Sequence, residues 1–436
     1  MARIMKNINR ISAFALLSLL VLQLTAAPVP KGKPEEVGMS TERLQRIEQM
    51  LDRRIAKGEM AGAVAIVARR GKVVYLTSRG VMDLETKQPV TPATMFRVAS
   101  MTKPVTSVAL MMMVEEGKVR LNDPVSRYIP EFKNLKVAVA DPVAAGERGA
   151  VPAPAATAGG RGGRGGPPPK FTTVAAEREI TIKDLLTHVS GLASGTLSNS
   201  TVQAVARKEG EKLADYIPRL GGTALEFQPG TRWAYSAQAG HDTLGRIVEI
   251  ASGIPLNEFF QKRIFDPLGM KDITFWPSDA QWPRVASVYN SGANGLTKNN
   301  NPNGMSSKVY FMGSGGLIST AEDYIPFGVM LANGGELNGK RILSRKTVEM
   351  LRSAHVPDTL PGRAPGEGYG LGVRVVTSHV KRGTMLSDGT FGWSGVYGTH
   401  FFVDPVEQTV GVLLVQTSNR EVNQDFEDLV AQSIID

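Results

Sequence analysis

The sequence predicts an α+β fold in which an antiparallel sheet, flanked by helices, stands beside a mostly helical part. Three observations carry that expectation. Strand-like runs cluster towards both ends of the chain, the middle is dominated by helical spacing, and a segregated order of this kind suggests a sheet built from both ends with helices inserted between them. At 436 residues and 42% hydrophobic composition, the chain can bury a large core.

The first element expected is a helix capped by Ser40, with Leu44, Ile47, Leu51 and Ile55 at spacings of three and four, ending near Gly58. Ala63 to Ala68 and Lys72 to Thr77 are strand-like and separated by Arg69-Arg70-Gly71, which reads as a β-hairpin. Val105 to Glu116 and Asp242 to Ala251 carry helical patterns in the middle. Leu371 to Val376, Thr399 to Val403 and Thr409 to Val415 read as strands, and Glu421 to Ile435 as a last helix with Phe426, Leu429, Val430 and Ile434 on one side. The sheet is thus expected from about 60–95 and 305–436, and the helical part from about 100–300. Ala138 to Lys170 is rich in Ala, Pro and Gly, cannot pack a core, and is expected to be a disordered surface insert.

Residues 1–27 read as a secretory signal: Arg3, Lys6 and Arg10 with no acid, an apolar stretch from Ile11 to Leu24, then Thr25-Ala26-Ala27. The stretch is shorter than the roughly 20 residues needed to span a bilayer, so a cleaved signal with no stable membrane span is expected, and a periplasmic or secreted enzyme occupying 28–436. Zero cysteines mean no disulfides and no lipid attachment through a thiol. Of the formal charge of +9, the signal carries three, leaving +6. Several of those positives, Arg148, Arg161, Arg164 and Lys170 among them, lie in the insert rather than along a periodic face with aromatic neighbours, which argues against a nucleic-acid partner. His188, His241, His355, His379 and His400 show no paired ligand spacing, so neither a metal nor another cofactor is expected. His188 reads as a brace for its own loop.

The chemistry centres on Ser100-Met101-Thr102-Lys103. A Ser-x-x-Lys spacing alone is weak, since a capping serine followed by a surface lysine reads the same. Ser378-His379-Val380-Lys381 repeats it within Val373 to Val380, a β-branched run expected to be a strand, where residues three apart face opposite ways. Ser100 instead opens a helical stretch, so Lys103 lies one turn along on the same face, near amides that favour negative charge. Tyr235-Ser236-Ala237 precedes a helix, and Gly392-Trp393-Ser394-Gly395-Val396 precedes a strand.

Taken together, these segments resemble the serine β-lactamase and penicillin-recognising family, especially class C β-lactamases, DD-peptidases and the carboxylesterases that share their fold. Further text supports the resemblance: Phe96-Arg97-Val98-Ala99 before Ser100, Leu121-Asn122-Asp123-Pro124-Val125-Ser126-Arg127-Tyr128-Ile129-Pro130, Ile182-Lys183-Asp184-Leu185-Leu186-Thr187-His188-Val189-Ser190-Gly191-Leu192, and Gly313-Ser314-Gly315-Gly316-Leu317. It implies a β-lactamase/transpeptidase-like fold, Ser100 as acylated nucleophile, Lys103 and Tyr235 relaying its proton, and an oxyanion hole from the amides of Ser100 and Val396. A phenol with an ordinary pKa near 10 costs roughly 4 kcal/mol to ionise at neutral pH, so a neighbouring ammonium is needed if the phenolate is the base.

The third segment departs from the family pattern, because Trp393 stands where a lysine usually helps bind the substrate carboxylate. Ser394 and Gly395 complete that segment. The departure favours ester hydrolysis with weak β-lactam turnover at most, and the family's carboxylesterases also carry Trp-x-Gly. Tyr235-Ser236-Ala237 lacks the asparagine that often contacts a substrate amide; Arg382 or another basic residue would have to compensate. The expected partner is a small ester, β-lactam or peptide substrate. The alternatives are a class C-like β-lactamase or D-alanyl-D-alanine carboxypeptidase and, in another class, a non-catalytic sensor. No Gly-x-Ser-x-Gly occurs, and Gly334 to Lys340 mimics a phosphate loop but continues with Arg341, reading as a Gly-rich hairpin. Nothing in the sequence sets an oligomeric state.

Overall fold

A computed structural model describes residues 28–141, 170–299, 301, 306–419 and 421–436. The signal segment lies outside the described residues. Helix α1 spans Thr41–Ala56, and Ser40 caps it as expected, its Oγ accepting from the Arg43 amide. Strands β1 (Gly62–Arg69) and β2 (Lys72–Gly80) form the hairpin. Strands β3 (Glu367–Tyr369), β4 (Arg374–Val376), β5 (Phe391–Ser394), β6 (His400–Asp404) and β7 (Thr409–Val415) complete a seven-stranded sheet in the order β3-β4-β5-β6-β7-β1-β2. Every pairing in it is antiparallel, with β1 on β7 joining the chain's two ends.

Alternation along β1 shows why the strand is buried throughout. Ala63, Ala65 and Val67 enter one core with Leu44, Ile47 and Leu51 of α1 and Phe426 and Val430 of α5 (Glu421–Gln432). Val64, Ile66 and Ala68 enter the other, larger core. That second face is covered by α4 (Ala321–Ala332) and by the helical part, whose axis is α2 (Thr102–Glu115). Every residue of α2 from Thr102 to Met113 is buried, so this helix runs through the core rather than over it. Helix α3 (Ala239–Ser252) packs beside α2. Among the described residues no helix is long and apolar enough to cross a membrane.

Several expectations need correction. The ends of the insert are strands: Lys136–Ala140 pairs antiparallel with Phe171–Ala175, so Ala138, Val139 and Ala140 are ordered backbone. Alternating Val and Ala opposite a Thr- and Val-containing run supplies the β-propensity that composition alone obscured. Residues 142–169 lie outside the described residues. The helical part therefore contains a small three-stranded sheet, completed by Ala224–Leu225. Residues 306–360, expected in the sheet, add no strand to the seven-stranded sheet and hold α4 and the helix Arg345–Arg352 instead, although Glu336–Leu337 and Lys340–Arg341 do form the expected Gly-rich hairpin.

Candidate active site

Ser100 sits in a single 3₁₀ turn, Ala99–Met101, that runs directly into α2. Ala99 holds a left-handed φ of 48°, a conformation that costs an L residue on the order of 1 kcal/mol. The surroundings impose it. The Val98 amide donates to the Leu317 carbonyl at 3.0 Å, and Thr399 Oγ1 donates to the Val98 carbonyl at 3.0 Å. The turn is thereby fastened both to the Gly-rich Gly313–Leu317 segment and to the beginning of β6.

Lys103 lies one turn on and is fully buried. Its Nζ donates to the Ala237 carbonyl (2.7 Å), the Ser314 carbonyl (2.7 Å) and Ser100 Oγ (3.3 Å), so all three ammonium hydrogens are used. The Ser314 carbonyl is itself placed. Asp242 of α3 accepts from the Ser314 amide and from the Tyr310 hydroxyl, at 2.9 Å each, and burial raises its pKa. Tyr235 donates from its hydroxyl to Ser100 Oγ at 2.8 Å, and Lys103 Nζ stands 5.0 Å from the phenol ring's centre. The three residues named from sequence therefore converge on one oxygen.

His188 braces the tyrosine. Its carbonyl accepts from the Ala234 amide and its Nδ1 from the Ser236 amide, while its ring lies 4.8 Å from that of Tyr235. Trp393 is buried against Tyr235 (5.5 Å between ring centres) and Tyr369 (5.2 Å), lining this side of the site with π-surface instead of positive charge.

Gly395 is required by a close approach. A Cβ there would lie 2.1 Å from Thr399 Oγ1 and 2.5 Å from the Val98 carbonyl. Gly395→Ala is therefore expected to push β5 off the Ser100 turn and slow covalent modification of Ser100 by about tenfold or more, with the fold retained by circular dichroism. Val396 follows on the turn between β5 and β6; among the described residues, no acceptor takes its amide hydrogen or that of Ser100.

Two readings of basic residues are corrected here. Ser378 does not lie on a strand; it caps a single helical turn, His379–Arg382, with its Oγ accepting from the Lys381 amide. The β-branched run stops at Val376, and Gly383, with φ 69°, closes the turn. The decoy is excluded because its serine is spent as a cap and its lysine pairs with Asp358 at 3.5 Å. Arg382 cannot serve a substrate carboxylate, since it is bound to Glu367 (3.0 Å) and Glu427 (2.8 Å).

Sequence reasoning missed a buried chain behind Ser394. Ser394 Oγ is 2.8 Å from His400 Nδ1, and His400 Nε2 is 2.9 Å from Glu427, which also accepts from Arg374 at 2.6 Å. The serine and histidine face each other across β5 and β6, a cross-strand pair that the short Gly395–Thr399 turn signals. Glu427 reaches them only through the docking of α5.

Burial lowers the pKa of His188, His241 and His400, in the last case against an opposing pull from Glu427. On acidification below about 6.5 the unfolded chain takes up these protons first, so their contribution to stability is present above that pH and lost as pH falls. Asp323, pushed up to about 6 by burial, acts oppositely, mainly below pH 6, and burial raises Asp242 in the same direction. The urea midpoint is therefore expected to drop between pH 7.5 and 6, at up to about 1.4 kcal/mol per histidine per pH unit.

The two-faced antiparallel sheet, the helical part and a serine hydroxyl bonded by a buried lysine and a tyrosine together define a class, the serine hydrolases of β-lactamase and transpeptidase fold. A sequence model of the family described as Beta-lactamase matches residues 47–433, and the chain belongs to that family. It is 34% identical over 373 residues to Protein Rv1367c of Mycobacterium tuberculosis, covering 82% of this chain and 86% of that protein. It is 28% identical over 399 residues to Esterase EstB of Burkholderia gladioli, covering 86% and 90%. Among solved structures it is similar to EstCE1, a hydrolase with promiscuous acyltransferase activity, at 26% identity and a TM-score of 0.72, covering 91% of this chain and 99% of that one.

Proposed function

We propose that the protein hydrolyses neutral carboxylic esters through an acyl-enzyme on Ser100. The observation that carries this reading is the convergence of Tyr235 and a fully donating Lys103 on Ser100 Oγ, beside an indole rather than a cation. With the Tyr235 proton released to solvent and the phenolate held beside the Lys103 ammonium, Oγ attacks the ester carbonyl as its own proton crosses the 2.8 Å contact to the phenolate, which then passes it to the departing alcohol. Water then takes the alcohol's place, losing its proton to the same pair as the acyl group is released. The amides of Ser100 and Val396 are the donors for the tetrahedral oxyanion, and an ammonium fixed by two carbonyls offsets the charge of a phenolate. The name of Esterase EstB supports the ester reading, and the hydrolase and acyltransferase activity given for EstCE1 supports acyl transfer through an acyl-enzyme.

A penicillin or D-alanyl peptide would bring a carboxylate to a wall where Trp393 offers no charge and Arg382 is already paired. Matched assays with a short-chain p-nitrophenyl ester, penicillin G and a D-alanyl-D-alanine peptide separate the readings. Turnover of the ester with at most weak acylation by the other two is expected; efficient penicillin hydrolysis with an inert ester would overturn the proposal. As part of the same reading, residues 1–27 direct export to the periplasm or beyond and are removed. Amino-terminal sequencing of the exported protein should begin near Pro28, and a cytosolic protein beginning at Met1 would refute it.

A further inference from the structure

We infer that His400 and Glu427 are positioning residues that fix the polarity of the Ser394 hydroxyl, so that the site favours acyl groups carrying a hydroxyl or N–H donor beside Ser394 and disfavours carboxylates. The inference rests on the proposed ester hydrolysis and deepens it. Glu427, His400, Arg374 and Arg382 are buried or nearly so, and the carboxylate of Glu427 accepts from all three of the others. With two guanidiniums on it Glu427 stays ionised, its pKa held well below the ordinary range against the cost of burial. An ionised carboxylate has no hydrogen to give, so His400 Nε2 carries the proton of this 2.9 Å bond. Neutral imidazole holds only one. His400 Nδ1 is therefore bare, and the 2.8 Å contact with Ser394 is made by the serine hydroxyl donating.

The serine's single hydrogen is thus spent on the side facing α5, and what remains of its oxygen is lone pairs. Ser394 is half-buried on β5 between Trp393, whose ring touches Tyr235, and Gly395, whose backbone abuts the Val98–Ala99 turn. Strand β4 pairs with β5 only as far as Gly392, which leaves the edge beyond it without a neighbouring strand among the described residues. A substrate lying along that edge meets an acceptor at Ser394. The charges behind it are engaged with one another: Glu367 and Glu427 pair with Arg374 and Arg382, and Arg363, 3.7 Å from Glu367, lies over the Trp233 and Tyr369 rings. A carboxylate placed there meets the lone pairs of Ser394 and guanidiniums already held by Glu367 and Glu427, whereas a hydroxyl or amide N–H gains a partner.

The test uses p-nitrophenyl esters of butyric acid, 3-hydroxybutyric acid and, as the monoester, succinic acid, with Ser100→Ala as control. The wild type is expected to turn over the succinyl ester with kcat/KM about tenfold or more below the butyryl ester, and the hydroxybutyryl ester at least as well as the butyryl. Ser394→Ala should erase the preference for the hydroxyl and narrow the succinyl penalty, while Ser394→Thr should keep both. His400→Leu, which frees the hydroxyl to donate, should move the ratio towards succinyl. Equal loss on all three esters in these variants, or a wild type indifferent to the succinyl charge, overturns the inference while leaving ester hydrolysis intact. No turnover of any ester, or turnover that survives Ser100→Ala, removes the parent reading and this inference with it.

Discussion

Ser100→Ala is expected to lower kcat/KM for a neutral aryl ester by about 10³- to 10⁶-fold, the range over which removing the nucleophile of a cooperating set acts. The set cannot work without that oxygen. Tyr235 and Lys103 both aim at Ser100 Oγ, and among the described residues no other hydroxyl receives both. Stability should change by less than about 1 kcal/mol, because Lys103 keeps its bonds to the Ala237 and Ser314 carbonyls and α2 keeps its core contacts. Tyr235→Phe, which leaves the nucleophile but removes one proton partner, should cost about 10²- to 10⁴-fold in kcat. Steady-state kinetics with circular dichroism as the folding control checks both. An alanine variant retaining a tenth of wild-type activity would show that another group carries the acyl transfer.

Glu427→Ala, in α5 where it docks on the sheet, is expected to destabilise the protein by about 3–5 kcal/mol in urea unfolding, because it strips the carboxylate from a buried site and leaves two guanidiniums facing each other. Folding domains have only about 5–15 kcal/mol in total, so the variant should be poorly soluble at 37 °C. His400 also loses its Nε2 partner, and Ser394 its fixed orientation. A loss below about 1 kcal/mol would mean that water or Glu367 neutralises the arginines without help, and that the network does not organise β4, β5 and α5.

Much of this architecture is legible in the sequence where the signal is periodic. Helix α1 follows from spacings of three and four, the first hairpin and β7 from strand-like runs bounded by turn residues, and both ends of the sheet meet as the segregated order implies. The Ser100, Lys103 and Tyr235 convergence is legible because a helix turn brings the first two together locally and the motif text supplies the third. Propensity misled at two places. Val373 to Val380 is β-branched, yet Ser378 and Gly383 supply cap and stop signals that close a helical turn. Ala138 to Ala140 sits inside a compositionally biased stretch, yet pairs with Phe171–Ala175. What the sequence could not yield is tertiary coupling over long separations. Glu427 reaches His400 only because α5 docks on the sheet, and Arg382 becomes unavailable to a substrate only through Glu367 and Glu427.

The central claim, that Ser100 is the residue which takes the acyl group, is tested most directly by covalent labelling. The protein is incubated with a fluorophosphonate, in which a nucleophilic oxygen displaces fluoride from phosphorus, and analysed by intact-mass measurement and peptide mapping. One adduct per chain is expected, on the peptide containing Ser100, and none in Ser100→Ala. An adduct mapping to another residue, or an unlabelled Ser100 in a protein that still turns over esters, would contradict the account.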